Sequence, residues 1–541
     1  MTPSSSATDD LPATAAAAAE ELLELRAQLE AARAELDTRE RTIEALTRRV
    51  QTLLEALRLA RAGAFGARSE KGSPEEAFDE LENVEASDGD GDGENEDAST
   101  EPDEGAVPGE DERTPRPKRT PRRRALPPEL PRVREVHELP EEERQCPCGC
   151  TLSEIGEERS ERVDVVPARV QVIECVRKKY ACRACEETVR TAPIPPSVLT
   201  KSVLTTYTAA YVIVAKYPDG LPLYRLSGIL ERHGIALSRQ TLSGAVLRTA
   251  AALEPLIERL AAQLAKGAVM HIDETRVQVL NEPGRAPQSQ SYMWVQRGGP
   301  PGRTVVRFAY EPSRAAVVPE RLIGDYAGAV MTDGYEVYRR VARDGTFVHL
   351  VCWAHARRKF VEAKKAQPKG RSGKADAALS LIGKLYGIER ACAGSDAAQR
   401  HRTRAERAVP VLAELEAWLE RSAATVAPKG ALGRAIGYAR EYWTELVRYV
   451  ENGAWPIDNN AVENAIRPFV IGRKAWLFSA SERGAKASAG LYSLIETARA
   501  NGREPYGYLC WLLERIPGAS TEADLDALMP WNAPPSAIAP T

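Results

Sequence analysis

The sequence predicts a multidomain α/β protein, and three observations carry that prediction. The chain has 541 residues, more than one hydrophobic core organises at about 150 residues per module. Its composition changes sharply within the first 130 residues, from a leucine heptad to an acidic low-complexity tract. From residue 266 onward, short β-branched runs come in succession and then give way to long helical patterning.

Composition excludes several classes. Hydrophobic residues make up 43% of the chain, a globular value. No uncharged apolar run approaches the roughly 18–20 residues that cross a bilayer; the nearest, Ala209–Ala215, stops at Lys216. No charged-then-apolar leader opens the chain, so a cytoplasmic protein without membrane contact is expected. Six of the nine cysteines fall between Cys146 and Cys185, a clustering that reads as metal binding rather than disulfides. The formal net charge is only −4, but 18 acids and no Lys or Arg lie between Glu75 and Glu112. Setting those 18 aside leaves +14, and Arg113–Arg124 alone carries seven basic residues. A folded remainder this basic favours a polyanionic partner, most simply nucleic acid.

Residues 13–62 hold no Gly or Pro, and Leu22, Leu29, Leu36, Ile43, Val50 and Leu57 fall seven apart. Leu25, Leu46 and Leu53 fill a second apolar column that Arg39 interrupts. A seam this narrow with charged flanks predicts a coiled coil, and hence self-association. Residues 72–130 bury too little to offset their ordering entropy and read as a disordered acidic and basic linker. Residues 133–192 form a cysteine module. Cys182 and Cys185 make a C-x2-C, whose spacing lets two thiolates hold one tetrahedral zinc from a tight turn. The partner pair lies in QCPCGC, where two of Cys146, Cys148 and Cys150 could serve, and Cys175 is another possible ligand. Alternation over Arg162–Arg177 suggests the strands of a zinc ribbon, and Arg177, Lys178 and Lys179 beside the second pair suit phosphate contacts.

Residues 200–265 are helical in pattern. Leu223–Arg232 reads as one amphipathic helix with Leu226, Ile229 and Leu230 inward, stopped by His233-Gly234. Ser238 is a good N-cap for a second helix that exposes Arg239 and Gln240 at its start. Helix, short turn and helix is the arrangement that sets a recognition helix in the major groove, although many helical hairpins bind nothing.

The region 266–516 carries the chemistry. Ala268–Leu280 reads as a strand bearing Asp273, which shares its face with His271 and Thr275, while Glu274 points to the other face. Strands follow at Ser291–Arg297 and Thr304–Tyr310, then a short apolar strand ending at Asp333, then Phe347–Cys352. Three antiparallel strands, a helix and another acid-ended strand follow the order of an RNase H-like sheet. Residues 356–450 read as a helical insertion. In WPIDNNAVENAIRPFVIGRKAWLF, Asp458 or Asn459 caps a new helix with Glu463 in its first turns and Arg467 one turn on. Asp273, Asp333 and Glu463 can then converge on two divalent cations. Phosphodiester cleavage places charge on both the attacking and the leaving oxygen, which two cations about 4 Å apart stabilise together. Hard Mg2+ or Mn2+ requires oxygen ligands, hence carboxylates. Trp476 and Phe478 read as core, and the tail from Pro517, residues 517–541, as irregular.

These strings together resemble the IS66 family of DDE transposases. The resemblance rests on FGARSEK at Phe65–Lys71, VRKKYACRACE, LYRLSGILERHGIALSRQTLSG, HIDET, MTDGYEVY, CWAHARRKF and DNNAVENAIRPFVIGRKAWLF. It implies a DNA transposase that cuts and joins strands, with a catalytic triad on Asp273, Asp333 and Glu463, a zinc-binding module and a helical insertion before the glutamate. The first cysteine pair departs from the family's C-x2-C. The resemblance also implies double-stranded DNA at element ends and target, nucleoid association, and accessory proteins of the same element. Arg357, Arg358, Lys359, Arg467, Arg473 and Lys474 are candidates for gripping phosphates. Cys352 and His355 form a C-x2-H that suits either a metal or packing. A zinc-dependent DNA-binding regulator without catalysis, an inactive copy and a different RNase H-like nuclease are the competing expectations.

Overall fold

The computed structural model describes residues 11–65, 170–181, 189–367 and 373–535. The expected linker and Cys146, Cys148, Cys150, Cys182 and Cys185 lie outside the described residues. The chain divides into two units, residues 1–91 with 175–541 and residues 92–174.

Helix α1 spans Leu11–Phe65. Its heptad leucines are exposed: Leu22, Leu29, Leu36 and Leu57 all lie open to solvent. Strands β1 (Lys179–Ala181) and β2 (Val189–Thr191) pair antiparallel. The stretch 170–178 forms no strand, which corrects the alternation expected over the described part of Arg162–Arg177. Every described residue from Val170 to Tyr180 is exposed, and pairing among the described residues starts only at Lys179.

Four helices follow: α2 (Thr206–Lys216), α3 (Leu223–Arg232), α4 (Arg239–Ala252) and α5 (Glu254–Leu264). Leu226 and Leu230 of α3 are buried, and Ile229 is half-buried. Helix α3 stops at His233 because Gly234 adopts φ +89°. Ser238 caps α4 by accepting from the Thr241 N–H at 3.1 Å, a bond worth about 1 kcal/mol.

The central sheet contains β3 (Val269–Asn281), β4 (Gln290–Gly298), β5 (Val305–Glu311), β6 (Ala329–Thr332) and β7 (Val348–Val351). Their spatial order is β5-β4-β3-β6-β7; β3, β4 and β5 pair antiparallel, and β6 and β7 extend the sheet in parallel. Helix α6 (Val317–Ile323) connects β5 to β6, and α7 (Glu336–Asp344) connects β6 to β7. The segment 353–451 is a helical layer with its own core: α8 (Trp353–Lys365), α9 (Lys374–Ala391), α10 (Ala397–Thr403), α11 (Val409–Ala423), α12 (Ala431–Glu441) and α13 (Trp443–Val447), packed around residues such as Phe360, Leu385, Leu415 and Tyr449.

The chain then returns to the sheet through α14 (Asn460–Trp476), the short strand β8 (Ser479–Ser481), which pairs with the far end of β3, and α15 (Glu482–Ala500). Helix α15 closes the edge strand: Ser493 and Thr497 accept from the N–H groups of Phe308 and Val306 at 2.8 and 3.0 Å. Helices α16 (Pro505–Arg515) and α17 (Glu522–Ala527) complete the described chain. The tail is therefore not irregular throughout. Leu528, Met529 and Ala533 are buried in the main core, and Thr521 forms a capping box with Asp524. Phe478 is likewise not core but 42% exposed, because Leu477 at φ +67° turns the chain outward; Trp476 packs on Phe469 as expected.

Candidate active site

The parallel register of β3 and β6 places the first two acids. Val269 lies opposite Ala329 and His271 opposite Met331, where the ladder ends; Asp273 follows two residues on in β3, and Asp333 follows the end of β6. Side chains two apart on a strand share a face, which puts Asp273 on the face of His271. Asp273 is half-buried, and its Oδ1 accepts from the Glu274 N–H at 2.8 Å. Asp333 stands just past the end of β6, where its Oδ1 accepts from the Tyr335 N–H at 2.8 Å. Gly334 turns the chain there at φ +85°, and a Cβ on it would lie 2.5 Å from the Tyr438 hydroxyl. That hydroxyl donates to the Asp333 carbonyl at 2.6 Å, so the helical layer itself pins the second acid.

Helix α14 lies across the same face. Asn459, at its N-cap, does not cap with its side chain: Oδ1 lies 3.0 Å from His271 Nδ1 and the amide donates to the Ile272 carbonyl at 3.2 Å. At the other end Arg473 donates to Thr275 Oγ1 at 2.9 Å and to the Arg276 carbonyl. Glu463 sits one turn after Asn459, between those two anchors, and is buried. Its Oε1 lies 3.5 Å from His355 Nδ1 and its Oε2 3.8 Å from Arg358. Burial pushes the His355 imidazole down to about 4 against the pull of the Asp333 charge, so it is neutral near pH 7. Glu463 thus stands with His355 and Arg358, and the Asp333 charge reaches His355.

Several contributors escape sequence reading. Glu274 does point to the opposite face, yet it belongs to the same cluster. Its carboxylate is buried, accepts from Tyr338 at 2.7 Å, and is joined to Arg314. Burial, with the Asp333 charge adding, raises its pKa, and Arg314 and Tyr338 oppose the shift. The Arg314 guanidinium stacks 3.9 Å over the Tyr335 ring and reaches within 4.0 Å of Asp333. No motif marks Arg314; only the loop after β5 brings it there.

The expected phosphate-gripping residues scatter. Arg239 and Gln240 are exposed at the start of α4, and Lys178 and Lys179 are exposed as well. Arg177 is exposed but donates to the Ala192 carbonyl at 2.7 Å. Arg357 and Arg358 are half-buried on α8, and Lys359 lies over the Tyr438 ring at 4.8 Å. Arg467 lines a cavity of about 660 Å³ with Arg297, Asn464 and Arg499, Arg473 is tied to β3 as above, and Lys474 is exposed.

A sheet with two antiparallel partners and two parallel additions, one carboxylate on β3 and another just past β6, defines an α/β protein with a candidate cation site. Sequence comparison supplies the family. Residues 201–487 match the Transposase IS66 family, 493–531 the IS66 C-terminal element, 143–186 the zinc-finger binding domain of transposase IS66, and 52–134 the Transposase C of IS166 homeodomain. The chain belongs to the IS66 transposase family. Its relatives include the uncharacterized protein y4jD of Sinorhizobium fredii, 35% identical over 421 residues that cover 75% of this chain and 81% of that protein. Another from the same organism, the uncharacterized protein y4qI, is 34% identical over 436 residues, covering 78% and 80%. No described helix is long and apolar enough to cross a membrane.

Proposed function

We propose that this chain is a DNA transposase that cuts and joins strands at the ends of an insertion sequence, with Asp273, Asp333 and Glu463 as its catalytic carboxylates. The observation that supports the reading is the parallel β3–β6 ladder, which runs toward Asp273 and Asp333, with the helix that bears Glu463 anchored on β3. The strand order supports an RNase H-like core, and family membership supports the reaction class.

The donor set fits Mg2+ or Mn2+, because all three side chains offer hard oxygens and two of them are half-open to solvent or to substrate. Two such cations held by Asp273, Asp333 and Glu463 would supply Lewis acidity to the attacking and leaving oxygens of the phosphodiester. The chain's own residues do the rest. Tyr438 and Gly334 fix the backbone at Asp333, Asn459 fixes the start of α14 on β3, and Arg314 holds positive charge beside Asp333. In the cysteine module, Cys146, Cys148, Cys182 and Cys185 would hold a structural zinc. The exposed basic side chains of α4 and of the stretch 177–179 would contact DNA phosphates, and α1 would pair with a second copy of the chain.

The test is cleavage of labelled element-end DNA by the full chain in Mg2+ or Mn2+. End-specific nicks are expected from the native protein and none from Asp273→Asn, Asp333→Asn or Glu463→Gln. Native protein that binds the ends without cutting them would make the chain a DNA-binding regulator instead.

A further inference from the structure

We propose a second metal site, built by Cys352, His355 and Glu463 and taking a borderline cation, zinc by donor chemistry. The thiol, imidazole and carboxylate donor atoms all lie within 4.8 Å of one another. Ligands of a tetrahedral zinc stand ~3.5 Å apart when the metal–ligand bonds are about 2.0–2.3 Å, so small side-chain rotations close the set.

The elements around the sulfur are arranged for it. Cys352 is the N-cap of α8, and His355 follows one turn later, so both face the same way. Helix α14 starts opposite, and the Asn459 N–H donates to Cys352 Sγ at 3.1 Å. A backbone N–H at the start of α14, aimed at one fully buried sulfur, is an outer-shell donor of the kind that stabilises a metal-bound thiolate. Packing alone needs no such donors, because a thiol in an apolar setting is satisfied by contact.

The donor set separates this site from the carboxylate pair. A thiolate and a neutral imidazole select zinc over Mg2+, whereas Asp273 and Asp333 offer only hard oxygens. Glu463 Oε1 faces His355, while Oε2 lies on the side of Arg358. Zinc here would fix the glutamate's orientation, with a fourth position left for water. The site does not depend on the transposase reading, since its readout is metal content rather than catalysis.

The experiment measures zinc per chain in the full-length protein, with thermal melts to confirm folding. Cys352→Ser and His355→Gln are each expected to carry one zinc fewer than the native protein, and Asp333→Asn none fewer. In a background with Cys182→Ser and Cys185→Ser, substituted cobalt is expected to give a thiolate charge-transfer band that Cys352→Ser removes. Unchanged zinc content in both Cys352→Ser and His355→Gln, or no such cobalt band in the background protein, would overturn the site. Loss of end cleavage in Asp333→Asn with zinc retained would keep the two readings distinct.

Discussion

At the residue scale, the position after Asp333 shows how a single backbone conformation serves a site. Gly334 holds φ +85°, and its missing side chain leaves room for the Tyr438 hydroxyl that binds the Asp333 carbonyl. A side chain there meets both obstacles. Forcing a non-glycine residue to positive φ costs on the order of 1–3 kcal/mol, and the 2.5 Å approach adds a clash with Tyr438. Gly334→Ala is therefore expected to lower the denaturant midpoint and to weaken cleavage, because Asp333 moves with its backbone. Wild-type stability in that variant, measured by urea unfolding, would show that the turn tolerates the change. Glu274 teaches a related lesson. Strand alternation sends it away from Asp273, yet through Arg314 its charge still acts on Asp333.

At the element scale, β6 and β7 are joined not only by their ladder but by a buried side-chain bond. His349 Nε2 lies 2.9 Å from Thr332 Oγ1, one residue before Asp333. Burial pushes His349 down to about 4 from its ordinary 6.5; Glu445 and Asp333 pull it upward, and Arg339 and Arg448 reinforce the burial. The folded pKa lies below the unfolded one, so the unfolded chain binds more protons between those values. The neutral imidazole contributes its full stability above about pH 6.5 and loses it as the pH falls toward about 4. Melting temperature is expected to drop across that window, and His349→Gln to flatten the drop. An equally steep profile in His349→Gln would assign the pH dependence to other groups.

At the scale of the whole molecule, α1 and the sheet region make different demands. Leu29 and Leu36 are 52% and 59% exposed on a 55-residue helix, and the proposed coiled coil has a second copy of the chain cover them. Replacing both with Asp is expected to turn an oligomer into a monomer in light scattering while the sheet region keeps its melting temperature. A native protein that is already monomeric at micromolar concentration would remove the coiled coil from the account.

Much of this organisation is legible in the sequence, because periodicity reports directly on which face is buried. The strands around Asp273 and Asp333 and the capped helix at Ser238 follow from local patterning. What is not legible depends on distant neighbours. Arg314 reaches its place through the loop after β5, Asn459 gives its side chain to β3 instead of its own helix, and the tail gains α17 by docking Leu528 and Met529 into a core formed far upstream. Phe478 turns outward at a backbone conformation that nothing in its own composition announces.

The central claim is that Asp273, Asp333 and Glu463 together hold hard divalent cations. Counting Mn2+ bound to the full chain on element-end DNA, by electron paramagnetic resonance of the free ion, tests it most directly. Two ions per site are expected in the native complex, with fewer in Asp273→Asn and in Asp333→Asn at unchanged DNA binding. Equal Mn2+ binding in the native protein and both variants would contradict the claim.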